Sequence, residues 1–338
     1  MLIRDTIDDL MIHLTTDMPN ELKTRLEKQG YHLLGDSGRA AFKACQWQRK
    51  SLVFGDVCYK EKFYGIQSHR CLQMTPVVDK CTQNCEFCWR VIPSDVGVGW
   101  NQTSVSREDV MEPASLLDSV LVANLRSLGG YNPEVDKRVS MDKYLEAREP
   151  KHLAISLAGE PTLYPMIGEL IDEAHSRGMT TFLVTNGTKP EVLKSMTLPT
   201  QLYVTLAAPD EDVYRTLCRP GIRGGWERIM ESQDLLGSLK TRTVNRLTMV
   251  SKRNMDNPRG YSKLILSGEP DFVEVKGYMH LGSARGRLSS ENAPSHRAIR
   301  AFAKAISALT GYYLSDEQPE SRVVLLSRSR HVERLNTN

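Results

Sequence analysis

The sequence lacks any apolar run long enough to cross a membrane, any internal repeat and any low-complexity tract. A helix that spans a bilayer needs about 20 consecutive apolar residues. The N-terminus, MLIRDTIDDL, carries acidic residues where a secretory signal would have a cationic start and an apolar middle. We therefore expect a cytoplasmic protein with no membrane partner.

Neither sign of charge is in strong excess, since 44 lysines and arginines face 41 acidic residues and leave a net charge of +3. This balance permits an RNA partner without requiring one. With 40% apolar and 25% charged residues, the 338-residue chain has the composition of a globular protein. Its length suits either one α/β barrel or two ordinary domains.

From Cys71 onward, short apolar runs alternate with amphipathic segments, which is typical of a chain of βα units with parallel strands. Residues 1–40 are predicted to be helical, with Gly30 as a stop. The predicted strands are CLQMTPVV, HLAISLA, TTFLVT, LYVTLAA, TVNRLTMV and FVEVKGY. The predicted helices cover 114–128, 166–177, 210–217, 225–236 and 258–267, and a final helix over 290–310 is followed by the strand-like VVLLS.

Three cysteines, Cys81, Cys85 and Cys88, lie in the short loop that follows the first predicted strand. In a reducing compartment disulfides are rare, so clustered cysteines indicate metal ligation. Three thiolates leave one iron of a [4Fe-4S] cluster open, and that iron can bind the amino and carboxylate groups of S-adenosylmethionine (SAM). The alternative is structural zinc, which needs four ligands; His69 could supply one, but the spacing fits zinc poorly.

A second trio, Cys45, Cys58 and Cys71, lies upstream, with twelve residues between successive cysteines. By the same ligand count it could hold a second cluster with one exposed iron, able to chelate a small oxoacid or amine. The alternative is that these cysteines are buried as small hydrophobic residues, which is the expectation for the isolated Cys218.

The C-x3-C-x2-C spacing resembles the signature of the radical SAM superfamily. Together, CYKEKFYGIQSHRCLQMTPVVDKCTQNCEFCWR and HLAISLAGEPTLYP resemble the tRNA-modifying radical SAM enzymes of wybutosine biosynthesis, in their free-standing archaeal form. The resemblance implies an α/β fold, a partial (β/α)6 TIM-like barrel of the radical SAM type. It also implies two [4Fe-4S] clusters, one on each trio. We divide the chain into an N-terminal helical extension carrying the auxiliary cysteines (1–70), the barrel (71–290), and a C-terminal helix with a basic tail (291–338).

A SAM pocket is predicted at the ends of three strands, where parallel barrels build their sites. Gly159 and Glu160 belong to a stretch that resembles the superfamily's GGE-type motif, with Ala158 in place of the first glycine; this change is harmless if the position keeps a negative φ. Asn186 offers a donor and an acceptor for a ribose hydroxyl. Thr205 is the third candidate. The alternative is that these residues have only a structural role, because turns and strand ends commonly contain such residues.

The resemblance implies that the enzyme condenses N1-methylguanosine at position 37 of tRNA-Phe with pyruvate to form a tricyclic base. A deoxyadenosyl radical would take hydrogen from the N1-methyl group, and the resulting methylene radical would attack the pyruvate carbonyl. The pyruvate carboxylate is then lost, and condensation with the exocyclic amine closes the ring. The absence of a flavodoxin-like domain implies an external electron donor such as a ferredoxin or flavodoxin. We expect a monomer.

Pyruvate could be held by the open iron of the auxiliary cluster or by Lys60 as a Schiff base, and the two need not exclude each other. Lys60 lies two residues after Cys58, and a desolvated amine has the lowered pKa that Schiff-base formation requires. Lys62 is a close competitor. Either lysine could instead be solvated or bind phosphate.

An anticodon-loop substrate favours base flipping, aromatic stacking and phosphate contacts. Trp89 and Tyr64 are candidate stacking rings. Two basic patches are candidate phosphate sites, one in the insertion over 129–150 and one at the C-terminus. They comprise Lys137, Arg138, Lys143, Arg148 and Lys151, and then Arg322, Arg328, Arg330, His331 and Arg334.

Two other functions fit parts of this pattern. A radical SAM enzyme that modifies peptides or proteins would carry auxiliary clusters, but its extra cysteines usually follow the barrel. A non-catalytic RNA-binding protein with structural zinc would use the cysteines without radical chemistry. The position of the auxiliary trio ahead of the barrel favours the tRNA-modifying enzyme.

Overall fold

The computed structural model describes residues 18–97 and 105–335, and within them ten strands form one sheet in the order β1-β2-β3-β4-β5-β6-β7-β8-β10-β9. The sheet does not close on itself, as expected for a partial barrel. Its strands are β1 His32–Leu34, β2 Ala40–Phe42, β3 Cys71–Thr75, β4 His152–Ile155, β5 Thr180–Thr185, β6 Gln201–Thr205, β7 Arg242–Met249, β8 Phe272–Gly277, β9 Tyr313–Gln318 and β10 Val323–Ser327.

The six strands predicted from the apolar runs are β3 to β8, and all of them pair in parallel. This confirms the predicted α/β fold. The outer strands pair antiparallel: β1 and β2 extend one edge beside β3, while β10 and β9 extend the other beside β8. Both ends of the described chain therefore contribute strands to the same sheet as the barrel.

The helices are α1 Asn20–Lys28, α2 Gln46–Phe54, α3 Tyr59–Tyr64, α4 Pro113–Leu128, α5 Met141–Arg148, α6 Ile167–Ser176, α7 Pro190–Ser195, α8 Glu211–Cys218, α9 Gly225–Leu235, α10 Pro258–Gly268 and α11 His296–Thr310. The five helices predicted between the strands are confirmed to within two residues. The final helix begins at His296 instead of 290, because Ser290–Asn292 form a separate short turn and the Ser295 side chain caps the helix by accepting from the Ala298 amide at 3.2 Å.

The prediction of a helix over residues 1–40 is wrong for the described part beyond residue 28. Helix α1 buries Leu22 and Leu26 and ends where Gly30 adopts a φ of +81°. The chain then forms the β1–β2 hairpin, because its short apolar stretches complete the sheet edge beside β3. Apolar residues that recur at Ile7, Leu10 and Leu14 also favoured this predicted helix, and they lie outside the described residues.

The strands bury both faces, as parallel strands do. On the outer face α4 and α6 cover β4 and β5, with Leu183 in that core. On the concave face the short helix α3 packs against β5, β6 and β8, where Phe63 and Tyr64 meet Phe182 and Tyr203. Burying side chains of this size contributes about 1.5–3 kcal/mol each. Helix α3, with Lys60 on it, is therefore held inside the curve of the sheet.

No helix within the described ranges is long and apolar enough to cross a membrane.

Candidate active site

The loop that carries Cys81, Cys85 and Cys88 follows β3 at the edge where the parallel strands end. It is held by backbone hydrogen bonds to the last residues of α8. The amides of Asn84 and Glu86 donate to the carbonyls of Cys218 and Leu217 at 2.9 and 3.0 Å. The arrangement fixes the loop through main-chain atoms, which leaves its side chains free for ligation.

A single arginine from the far end of the sequence also holds this loop. Arg287 donates from Nε to the Glu86 carbonyl at 3.2 Å, and its terminal nitrogens bond the Cys88 carbonyl and the Asp95 carboxylate. The side chain is largely buried. The cysteine loop is thus tied to a residue roughly 200 positions later, an arrangement that spacing within the motif could not reveal.

Neighbouring thiols of the loop raise the pKa values of Cys81 and Cys85. Burial raises the pKa of Cys81 to about 12, and the Glu160 carboxylate and Cys88 add to the increase. Buried thiols of this kind ionise only when a metal stabilises the thiolate. Among the described residues, no three His, Cys, Asp or Glu side chains converge on one ion position, as zinc would require. A [4Fe-4S] cubane carries iron at four alternating corners, so its ligands bind different irons and lie further apart than the ligands of a single ion.

The second trio lies at the other end of β3. Cys45 and Cys58 are the N-cap residues of α2 and α3, and Cys71 is the first residue of β3. Burial raises the pKa of Cys58 to about 12, and the neighbouring Cys45 thiol contributes; burial also raises the pKa of Cys71, with contributions from both other thiols. The structure therefore brings together three cysteines that the sequence spreads over two helices and a strand.

Lys60 reaches toward the concave face of the sheet. Its Nζ atom lies 4.3 Å from the ring centroid of Tyr203 and 5.9 Å from that of Phe182. Burial lowers the pKa of Lys60, and the Arg246 charge lowers it further. Lys62 points away: its Nζ lies 2.9 Å from Asp316 Oδ1 and donates to the Glu317 carbonyl at 2.6 Å.

Three charged residues beside Lys60 were missed by the sequence analysis: Arg246, Glu274 and Lys276. Glu274 is completely buried, accepts from the Tyr59 and Tyr64 hydroxyls at 3.2 and 3.0 Å, and lies 3.6 Å from Arg246 Nε. Burial lowers the pKa of Lys276 to about 8, and the Arg246 charge adds to this. The sequence did contain a signal for these residues. They are charged residues within the apolar strands β7 and β8, and a buried charge needs a partner that compensates it.

These residues leave the concave face with more positive than negative charge. Lys60, Arg246 and Lys276 surround a single carboxylate, Glu274. An uncompensated buried cation is costly, so such a site favours an anionic ligand.

Tyr64 is not available as a stacking ring. Its side chain is fully buried, its hydroxyl bonds Glu274, and its ring meets Phe272 edge-on at 5.3 Å. The prediction of an RNA contact for Tyr64 is therefore wrong, because the residue belongs to the core beneath α3. Trp89, the other predicted ring, is 36% exposed beside the cysteine loop.

Gly159 lies where the loop after β4 crosses the cysteine loop. Its φ is +81°, and a Cβ atom there would lie 1.7 Å from the Val77 carbonyl oxygen. Only glycine permits this approach. Ala158 does not have a positive φ, so alanine is tolerated where the superfamily motif has its first glycine. The preceding Leu157 adopts a φ of +99°, which is a strained value for a branched residue.

Glu160 and Asn186 connect the end of β4 to the end of β5. The Glu160 carboxylate is buried and accepts from the Thr162 amide and hydroxyl at 3.1 and 2.7 Å, the Thr185 hydroxyl at 2.6 Å and the Asn186 amide at 2.8 Å. The Asn186 Nδ2 atom donates to Thr82 Oγ1 at 2.9 Å and lies 3.6 Å from Cys81 Sγ. These residues shape the loop around Cys81.

Thr205 ends β6 and lines a small cavity behind the cysteine loop, together with Gln83, Tyr214 and Cys218. The structure thus brings Gly159, Glu160 and Asn186 together at Cys81, and places Thr205 at a cavity that Gln83 of the same loop also lines. Cys218 is buried, as expected for a small hydrophobic residue.

The insertion patch and the members of the C-terminal patch that follow β10 lie at the strand-start edge, opposite the cysteine loop. Arg322 precedes β10 and lies at the other end of β8, where its carbonyl accepts from the Gly277 amide at 2.8 Å. The insertion leads directly into β4, and the other C-terminal residues follow β10 beside the start of β8. Several of these charges have partners already: Arg138 pairs with Asp136 at 2.7 Å, and Arg328 pairs with Asp271 at 3.2 Å.

Two family descriptions match the chain, the Radical SAM superfamily over residues 75–265 and Wyosine base formation over residues 267–328. The S-adenosyl-L-methionine-dependent tRNA 4-demethylwyosine synthase of Pyrococcus abyssi (strain GE5 / Orsay) is 48% identical over 326 residues, which cover 94% of this chain and 92% of that protein.

Two solved structures resemble the chain over nearly its whole length. One, described as TYW1 with a lysine-pyruvate adduct bound, is 39% identical with a TM-score of 0.82 and covers 94% of this chain and 99% of its own. The other, a crystal structure of archaeal TYW1, is 35% identical with a TM-score of 0.77. The match covers 94% of this chain and 100% of that one.

Proposed function

Because the chain belongs to the S-adenosyl-L-methionine-dependent tRNA 4-demethylwyosine synthases, we propose that it condenses N1-methylguanosine at position 37 of tRNA-Phe with pyruvate. Membership in this family makes it a radical SAM enzyme, with SAM and a [4Fe-4S] cluster as cofactors and tRNA as substrate. The observation that carries the finer proposal is the Lys60 amine, which points into a cationic interior beside three cysteines.

Cys81, Cys85 and Cys88 are the residues that we assign to the SAM-binding cluster. When bound, this cluster supplies one electron to SAM and so generates the radical that removes hydrogen from the N1-methyl group. Gly159 lets the loop after β4 approach the cluster loop, and Glu160 and Asn186 fix the ends of β4 and β5 around it. With Thr205 at the end of β6, these residues form the proposed SAM pocket.

Lys60 is the residue that we assign to pyruvate. The solved TYW1 structure with a lysine-pyruvate adduct motivates a Schiff base, in which the lysine amine condenses with the ketone and releases water. In this chain Lys62 is bound to Asp316, and Lys276 donates to the Ser321 carbonyl at 2.7 Å. Lys60 Nζ packs against the Tyr203 and Phe182 rings, and burial lowers its pKa, which favours the neutral amine that attacks the ketone.

Cys45, Cys58 and Cys71 are the residues that we assign to a second [4Fe-4S] cluster, whose open iron could chelate pyruvate in addition to the Schiff base. The surplus of positive charge from Lys60, Arg246 and Lys276 favours both an anionic cluster and the pyruvate carboxylate. Pyruvate would then lie between the two trios, with its carbonyl directed toward the methyl group of the base. Two of its carbons enter the product, and its carboxylate is lost.

The remaining parts of the proposal are an external electron donor such as a ferredoxin or flavodoxin, a monomeric enzyme and a cytoplasmic location. The donor is required because cleavage of SAM consumes an electron that the chain does not itself generate.

Anaerobic incubation tests the proposal. The reconstituted enzyme is mixed with SAM, pyruvate, dithionite and tRNA-Phe bearing N1-methylguanosine. The tRNA is then digested, and its nucleosides are identified by mass spectrometry. We expect the mass of 4-demethylwyosine and one 5'-deoxyadenosine for each product formed. The matched control is the same tRNA with unmethylated guanosine at position 37. If 5'-deoxyadenosine forms but the nucleoside mass stays unchanged with the methylated tRNA, the assigned substrates are wrong.

A further inference from the structure

A cleft of about 560 Å³ lies beside the cysteine loop and has no role in the chemistry described above. Its walls are α8, the segment that joins α8 to α9, and the first turn of α9. Sites for small molecules commonly have this volume, so one nucleotide fits within it. Among its lining residues are Arg215, Arg219, Arg223 and Trp226.

Three arginines and two carboxylates, Glu211 and Glu227, line the cleft. Arg215 pairs with Glu211 on the same helix at 2.5 Å. Arg219 and Arg223 are both exposed, and neither forms an ion pair within the part of the chain that the structure describes. This contrasts with Arg138 in the insertion, whose charge is matched by a neighbouring carboxylate. Two guanidinium groups at one cleft are well suited to an anion with several oxygens.

The wall of the cleft is continuous with the cysteine loop. Pro220 forms a β-bridge with Gln83, and the Gly221 amide donates to the Thr82 carbonyl at 2.9 Å. Gln83 also donates from its side chain to the Tyr214 hydroxyl at 3.3 Å. A molecule in the cleft would therefore lie next to the loop on which the radical chemistry depends.

We propose that this cleft binds a backbone phosphate of the tRNA, from a nucleotide that neighbours the modified base. Arg219 and Arg223 contact the phosphate oxygens, and the Trp226 ring, tilted against Tyr214 at 5.7 Å, offers a surface for an unpaired base. An enzyme that acts on one base must hold the strand beside it while that base leaves the stack. The inference rests on the proposed function, since it places the phosphate next to the target base.

The test measures tRNA binding by fluorescence anisotropy at several salt concentrations, with labelled tRNA-Phe that bears N1-methylguanosine. The variants are Arg223→Gln and Arg219→Asn, the latter because position 219 has a φ of +48°, which asparagine tolerates. We expect each variant to bind roughly tenfold more weakly, because each loses a charge-assisted hydrogen bond. The slope of log affinity against log salt should fall by about 0.7 for each phosphate contact removed.

Two controls keep the result interpretable. Arg126→Gln removes an exposed arginine near the end of α4, at the opposite edge of the sheet, and should bind tRNA as the unaltered enzyme does. Arg223→Lys retains the charge, so the salt slope should return even though the planar fork is lost. Thermal unfolding of each variant shows that it is folded.

Folded Arg219→Asn and Arg223→Gln proteins that keep the affinity and the salt slope of the unaltered enzyme would overturn the proposal. So would an equal loss of affinity in Arg126→Gln, because binding would then reflect overall charge. Failure of the proposed function has a different signature: no nucleoside product forms with the unaltered enzyme, whatever the binding of the variants.

Discussion

The two cysteine trios are built in opposite ways. Cys81, Cys85 and Cys88 share one short loop whose main chain is bonded to neighbouring segments and to Arg287, and the Glu160 carboxylate adds to the raised pKa of Cys81. The second trio, defined above as Cys45, Cys58 and Cys71, comes from three separate elements, and the charges around it are lysines.

This difference in charge matches what each trio is proposed to hold. SAM presents an ammonium group and a sulfonium, so a neighbouring carboxylate is favourable beside the first trio. Pyruvate is an anion, and the lysines around the second trio favour it. The two ends of β3 therefore provide environments of opposite sign within one interior.

The largest effect is expected from removing single cysteine ligands. Cys81→Ala should lose all SAM cleavage, because the first cluster cannot form, whereas Cys58→Ala should still cleave SAM but form no tricyclic product. Iron analysis should give about eight irons per unaltered chain and about four in either variant. Cys218→Ala is the matched control, since this buried thiol lies beside Cys85 but outside both trios, and it should keep all the iron. SAM cleavage that disappears in Cys58→Ala as well would mean that the two sites are not separable.

The next effect separates the two lysines of α3. Lys60→Ala should lower product formation on the order of 10²-fold or more, because one reactant is no longer positioned beside the other. Lys62→Ala should remain within about twofold, since it loses only a partly exposed ion pair with Asp316. Borohydride reduction with ¹⁴C-pyruvate provides a second measurement, in which the label stays on Lys62→Ala and is absent from Lys60→Ala. Equal labelling of both variants would assign pyruvate to another group.

A third effect concerns the stability of the cationic interior. Glu274→Gln leaves Arg246, Lys60 and Lys276 without their carboxylate, and breaking a buried charge set in this way costs about 3–5 kcal/mol. The urea midpoint of the variant should fall accordingly, and saturating pyruvate should recover part of the loss if an anion binds there. Glu86→Gln, which loses a pair with Arg253 beside the first trio, should cost no more than about 1 kcal/mol. Equal costs for both variants would contradict the contrast between the two regions.

The parts of this molecule that sequence could predict are those that depend on local pattern. Apolar runs between amphipathic segments predicted the six parallel strands, and the spacing of Cys81, Cys85 and Cys88 singled out the loop that we propose to hold the first cluster. The polar strand β9 and the β1–β2 hairpin escaped prediction because their stability comes from pairing with distant strands. Arg246, Glu274 and Arg287 escaped for the same reason, since each has its role through residues far away in sequence.

The smallest effect tests how Asn186 acts at the first trio. Its side-chain nitrogen donates to Thr82, and its side-chain oxygen accepts from the Thr188 amide and hydroxyl at 3.0 and 2.7 Å. Asn186→Ala therefore removes hydrogen bonds that tie the cysteine loop to the end of β5, each worth about 1 kcal/mol. If the residue only shapes the pocket, affinity for SAM should fall by less than about tenfold in equilibrium binding. Asn186→Asp keeps the acceptor for Thr188 but loses the donor to Thr82. Its affinity for SAM should lie between that of the unaltered enzyme and that of Asn186→Ala. A loss well beyond a hundredfold in Asn186→Ala would instead show that the amide contacts the ribose directly, and that the bonds to Thr82 and Thr188 exchange for the cofactor when it binds.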